Sequence, residues 1–135
     1  MADLTLVIGD KRLSSWSFRP WLALKTADIA FEEVTIHLGW PDTAERIRAY
    51  SPAGRVPVLA GDGATVWESL AICEWAVERF PETRLWPAYD AARAHARAIS
   101  HEMHAGFAGL RETLPFDAAR SRPRPLPTPE VEHEI

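Results

Sequence analysis

The pair Asp62-Gly63 constrains this chain more than any other feature, because it stands between two short runs of β-forming residues. Asp-Gly readily adopts the left-handed conformations of a two-residue hairpin loop. Val56-Pro57-Val58-Leu59-Ala60 and Thr65-Val66-Trp67 are therefore expected to pair antiparallel. Pro57 lacks an N–H, which confines it to the start of its strand or to an edge. One hairpin is at best marginally stable alone, so the remainder must extend the sheet and cover its faces. Leu4-Thr5-Leu6-Val7-Ile8 reads as a buried strand, and residues 31–38 as a second, with Val34 and Ile36 on one face. Between them, Ser14 and Ser15 are good caps for a helix through Phe18-Arg19-Pro20-Trp21-Leu22-Ala23-Leu24-Lys25, with Pro20 expected in its first turn. Asp42 or Thr43 can cap a short polar helix to Tyr50, and Ser51-Pro52-Ala53-Gly54 is turn chemistry. Ile72, Trp75, Ala76 and Phe80 recur at helical spacing over residues 68–80, and Pro81 stops that helix. The order β, α, β, α, β-hairpin, α predicts an α/β layer architecture.

Pro87 marks a boundary. Residues 88–114 are alanine-rich, with Ile99, Met103, Phe107 and Leu110 at three- and four-residue intervals, and predict one long helix ended by Pro115. Residues 120–129 carry Pro123, Pro125, Pro127 and Pro129 among arginines and predict an extended linker. Thr128 can cap a further helix opened by Pro129. The net charge of -4 gives no basic field for nucleic acid. No apolar run approaches the roughly 20 residues of a membrane span. The single cysteine, Cys73, excludes an internal disulfide and fits a reducing compartment. The start of the chain lacks a secretory pattern. A cytoplasmic protein is expected, with neither nucleic acid nor membrane as partner.

Three junctions carry candidate chemistry, at the kind of position where small α/β domains bind ligands. Ser14 and Ser15 lie between the first strand and the first helix. Val56-Pro57 opens the third strand; a cis bond there would free backbone groups for a ligand. Glu68-Ser69 opens the third helix. There a carboxylate can take an ammonium, while the hydroxyl and helix N–H groups take a carboxylate. From the dipeptide alone, plain N-capping is the readier explanation of Glu68-Ser69.

Together these segments resemble the N-terminal domain of cytosolic glutathione transferases. The resemblance runs through Ser14-Ser15-Trp16-Ser17-Phe18-Arg19-Pro20-Trp21, Ser51-Pro52-Ala53-Gly54-Arg55-Val56-Pro57-Val58-Leu59 and Trp67-Glu68-Ser69-Leu70-Ala71-Ile72-Cys73-Glu74-Trp75. The serine run is most similar to the zeta class, which includes maleylacetoacetate isomerases. The resemblance implies a thioredoxin-like glutathione-binding domain over residues 1–87 and a truncated all-α C-terminal domain over 88–135. It also implies a cis Pro57, a Val56 backbone that pairs with the cysteinyl unit of glutathione, and a γ-glutamyl end held by Glu68 and Ser69. A homodimer with glutathione as co-substrate, a small electrophilic partner and no metal is expected. Family members run well past 135 residues, so the apolar face of residues 88–114 is expected to be exposed. Zeta members usually carry a cysteine after the two serines; here Trp16 stands there.

Serine is too weak a base to deprotonate a thiol with a pKa of about 8.5. It can donate a hydrogen bond to the thiolate, worth about 1.5–3 kcal/mol. The helix N-terminus adds about 0.3–1 kcal/mol. Together they would lower the thiol pKa by roughly one to three units. Either Ser14 or Ser15 can be that donor, with the other as cap; Arg19 is expected to be solvated. His95, His101 and His104 share the long helix without evident further ligands, so no metal site is expected. Cys73 is expected to be a buried small hydrophobe, the tryptophans mostly core, with Trp16 and Trp40 bordering the groove. The expected function is glutathione transfer or glutathione-dependent isomerisation. A truncated, non-catalytic glutathione- or protein-binding module is the alternative. A thioredoxin-type redox protein is disfavoured by Trp16 and the lack of a second cysteine.

Overall fold

The computed structural model describes residues 4–121, 123 and 125–135. Four strands, β1 (Thr5–Ile8), β2 (Glu32–Thr35), β3 (Val58–Gly61) and β4 (Ala64–Trp67), form a mixed sheet in the order β2-β1-β3-β4. β1 pairs parallel with β2 and antiparallel with β3, and β3 pairs antiparallel with β4. The parallel pair is possible because α1 (Ser15–Thr26) crosses over between its strands. The hairpin is the expected one. Gly61 faces Ala64 across it, and Asp62 and Gly63 both have positive φ, 49° and 74°.

Strand alternation divides the core. Leu6, Ile8 and Leu59 point to one face and pack with Leu24 of α1 and with Ile72 and Ala76 of α3 (Ser69–Arg79). Val7 and Val58 point to the other, against Ile36 and Ile47, the latter from α2 (Thr43–Arg48). α1 and α3 thus cover one face of the sheet and α2 the other, which brings the N-termini of α1 and α3 near the cis Val56–Pro57 bond at the entry to β3. Pro20 does not lie in the first turn of α1. The helix starts at Ser15, so Pro20 falls in the second turn, fully buried, where the bond its N–H would make is absent.

The long helix expected over residues 88–114 is two helices, α4 (Asp90–Ala105) and α5 (Ala108–Thr113). Gly106 leaves α4 in an extended conformation and Phe107 turns left-handed, φ 62°. The break is held on both sides. The Arg111 guanidinium donates to the carbonyls of Met103 and Gly106. The Glu134 carboxylate accepts from the N–H groups of Gly109 (3.1 Å) and Leu110 (2.7 Å), capping α5. Glu134 belongs to α6 (Pro129–Glu134), where Thr128 holds the N-cap position without a side-chain capping bond, and Val131 of that helix is buried. The proline-rich stretch before α6 has no helix or strand in its described part; Arg122 and Arg124 lie outside the described residues.

A bidentate pair, Arg12 to Asp117 at 2.8 and 3.0 Å, ties the loop after α5 to the loop before α1. Arg12 holds the Asp117 carboxyl down to about 2, against an ordinary 3.8. A lowered carboxyl pKa stabilises the fold fully above the unfolded value and ceases to do so as pH falls through the folded one. The contribution should therefore vanish between about pH 4 and pH 2. Arg12→Ala is expected to flatten that limb of a urea-unfolding pH profile, and by a small amount because the pair is exposed.

Candidate functional site

Val56, Pro57, Glu68 and Ser69 converge on a groove of about 450 Å3, with Trp16 and His104 among its other walls. Ser14 and Ser15 line a neighbouring pocket of about 430 Å3 together with Arg19, Arg111 and apolar side chains. Trp16 is the wall the two share. The six expected site residues are thus gathered on the two sides of one indole.

Each junction has groups left free for a ligand. The Val56 main chain makes no hydrogen bond among the described residues. Glu68 has φ 73° and ψ 128°, a strained backbone for a residue with a Cβ, costing about 1–3 kcal/mol. Its side chain makes no capping bond to α3, so plain capping does not account for it. The Ser69 hydroxyl is buried with no hydrogen-bond partner among the described residues. Leaving such a group unpaired costs about 1–3 kcal/mol. Strain and an orphaned hydroxyl at adjacent residues, both lining the groove, mark it as a place built for a polar ligand.

The two serines differ in what their hydroxyls already do. Ser14 is the N-cap of α1. Its Oγ accepts from Ser17 N–H at 3.2 Å and donates to Ser17 Oγ at 3.0 Å. Ser17 Oγ also accepts from Gly9 N–H at 3.0 Å, and Ser14 and Ser17 are both buried. Ser15 is half-buried, and its hydroxyl makes no hydrogen bond among the described residues. The Ser14 hydroxyl is engaged with Ser17 inside the protein; that of Ser15 has no partner among the described residues.

Three cationic or titratable side chains surround Trp16. The Arg19 and Arg111 guanidinium carbons stand 4.4 and 4.5 Å from the ring, and His104 meets it edge-on at 5.1 Å. Arg19 is half-buried rather than solvated, and burial, followed by repulsion from Arg111, lowers its pKa. No carboxylate lines the serine pocket among the described residues, so the two cations lack a counter-charge there. Trp40 does not border the groove; it is 58% exposed and stacks on His37 at 4.7 Å. The tryptophans are half-buried or exposed rather than core, because the small sheet is filled by aliphatic side chains and the indoles rim it. Cys73 is only partly buried and lines a third cavity of about 440 Å3, shared by α1, α3 and α4. Burial pushes its thiol up to about 11, so it is protonated at neutral pH.

Sequence reasoning discounted His104, and its spacing carries no signal of its role. Only the packing of α4 over α3 brings it to the groove, 3.5 Å from the Glu68 carboxylate. His101 instead bonds the Arg97 carbonyl of its own helix at 2.8 Å. Among the described residues no three His, Cys, Asp or Glu side chains converge as a metal set, and no helix is long and apolar enough to cross a membrane.

Comparison with known proteins adds independent findings. Residues 13–79 match the family model for the glutathione S-transferase N-terminal domain. A probable maleylacetoacetate isomerase of Caenorhabditis elegans is 38% identical over 96 residues, 71% of this chain and 44% of that protein. The maleylacetoacetate isomerase of Rattus norvegicus is 38% identical over 72% of this chain and 45% of that protein. The chain thus spans less than half the length of these curated relatives. Among solved structures, a glutathione transferase homologue from Burkholderia with bound glutathione superimposes with a TM-score of 0.69 at 28% identity, covering 83% of this chain and 62% of that one.

Proposed function

Because the chain belongs, through residues 13–79, to the glutathione S-transferase N-terminal domain family, we propose that it binds glutathione in the 450 Å3 groove and activates its thiol. The observation that carries this reading is the Glu68-Ser69 junction, where a strained carboxylate-bearing residue and an unpaired buried hydroxyl face one groove. Glu68 takes the γ-glutamyl ammonium and Ser69 the γ-glutamyl carboxylate. Val56 offers its free main chain to the cysteinyl unit, and Pro57 shapes the wall beside it. The cysteinyl sulfur is then directed toward the N-terminus of α1. There Ser15, whose hydroxyl is free, donates to the thiolate. Ser14 holds the helix start in place.

The thiolate attacks an electrophile seated in the pocket beside Ser15, or adds to and leaves an unsaturated substrate in an isomerisation. Arg19 and Arg111, uncompensated by carboxylates in that pocket, suit an electrophile bearing a carboxylate. The relatives bearing the isomerase name are consistent with this second chemistry. We extend the reading to a cytoplasmic homodimer acting on small electrophiles, the dimer being testable by sedimentation. Residues 1–87 are the glutathione-binding domain in this account, and 88–135 the helical region that overlies it.

The test is a pair of measurements on the whole chain: glutathione affinity by calorimetry and thiol addition to an activated aryl halide. Binding with turnover supports the transferase reading. Binding without turnover leaves the alternative, a non-catalytic glutathione-binding module of the same fold.

A further inference from the structure

We propose that His104 is a positioning residue for the γ-glutamyl end of glutathione, acting through Glu68 and supplied by α4 rather than by the sheet domain. The inference rests on the glutathione reading of the groove. His104 lies in the last turn of α4, and its Nε2 stands 3.5 Å from Glu68 Oε2. Its ring packs edge-on against Trp16, which fixes where the imidazole can point. The distance is at the outer edge of hydrogen bonding, so a small rotation lets an Nε2–H donate to Glu68.

Glu68 needs such a partner. Its side chain is 47% exposed and makes no bond to the helix it precedes. A carboxylate in that position samples several rotamers, and gripping an ammonium requires it to abandon all but one. His104 holds one oxygen and leaves Oε1 for the ligand. Glu68 is the one carboxylate lining the groove among the described residues, with Arg55 the other charged residue there. The anchor for the ammonium therefore depends on this single side chain being aimed.

The experiment is calorimetry on the full chain with two ligands, glutathione and glutaryl-cysteinyl-glycine, which lacks the α-amino group. His104→Ala is expected to weaken glutathione binding roughly tenfold, the scale of one hydrogen bond to a charged group. His104→Gln, which keeps an N–H donor, should recover most of that loss. Against glutaryl-cysteinyl-glycine, His104→Ala should change nothing, since no ammonium is there to be gripped. The effect should also disappear in a Glu68→Gln background. Unchanged glutathione affinity in His104→Ala overturns the proposal, and so does an equal loss for both ligands. A parent chain that binds no glutathione overturns the glutathione reading itself, and the parent alone reveals that case.

Discussion

Replacing Ser15 with alanine is expected to raise the pKa of bound glutathione by roughly one to two units, the value of one hydrogen bond to a thiolate. Below the parent's pKa the rate of thiol addition should fall about tenfold to a hundredfold, and the difference should close as pH rises through the new pKa. The ultraviolet absorbance of the thiolate, followed against pH in the complex, measures the first effect directly. Glutathione affinity measured at low pH, where the thiol is protonated in both proteins, should be unaltered. Ser14→Ala should behave differently. It removes the N-cap of α1 and leaves the Ser17 N–H without its side-chain partner, costing about 0.5–2 kcal/mol of stability. Its effect on the thiol pKa should be the smaller of the two. A larger pKa effect from Ser14 than from Ser15 would reverse the assignment.

The second large effect is at Glu68, where stability and binding should separate. Glu68→Gln removes the charge that grips the ammonium and is expected to weaken glutathione binding about tenfold to a hundredfold. Glu68→Gly removes the same charge and also the Cβ that makes φ 73° costly. That variant should bind as poorly as Glu68→Gln yet resist urea better than the parent by about 1 kcal/mol. The combination distinguishes a residue strained for function from one that caps a helix. A capping residue would lose stability in both variants and leave affinity largely unchanged.

The sheet was legible in the sequence because it rests on local chemistry, whereas the candidate site was marked by the joint placement of three junctions and by the family resemblance. Asp62-Gly63 dictates a hairpin by its backbone preferences alone. The alternation of Leu6, Val7 and Ile8 assigns each side chain to a face before any packing is known. The expected cis bond at Val56–Pro57 is present. What was not legible depends on contacts between distant segments. Gly106 is a local stop signal, but it sits in a run whose apolar spacing continues unbroken, and that spacing masks the break between α4 and α5. It is held there by Arg111 and by Glu134, which is 25 residues beyond Gly109. Ser14 and Ser15 are equally good caps as residue types, and only the folded helix start reveals which hydroxyl is spent on Ser17. His104 looked like one more polar residue on a helix face, because the groove it borders is made by segments about 35 and more residues away along the chain.

The groove's affinity for glutathione is the central claim, and calorimetry of the intact chain tests it most directly. Titration of glutathione into the parent should give saturable binding of one molecule per chain. The combined variant Glu68→Gln, Ser69→Ala should lose that heat while keeping the parent's circular dichroism spectrum. Absence of binding by the folded parent, or binding that survives the combined variant, would contradict the account.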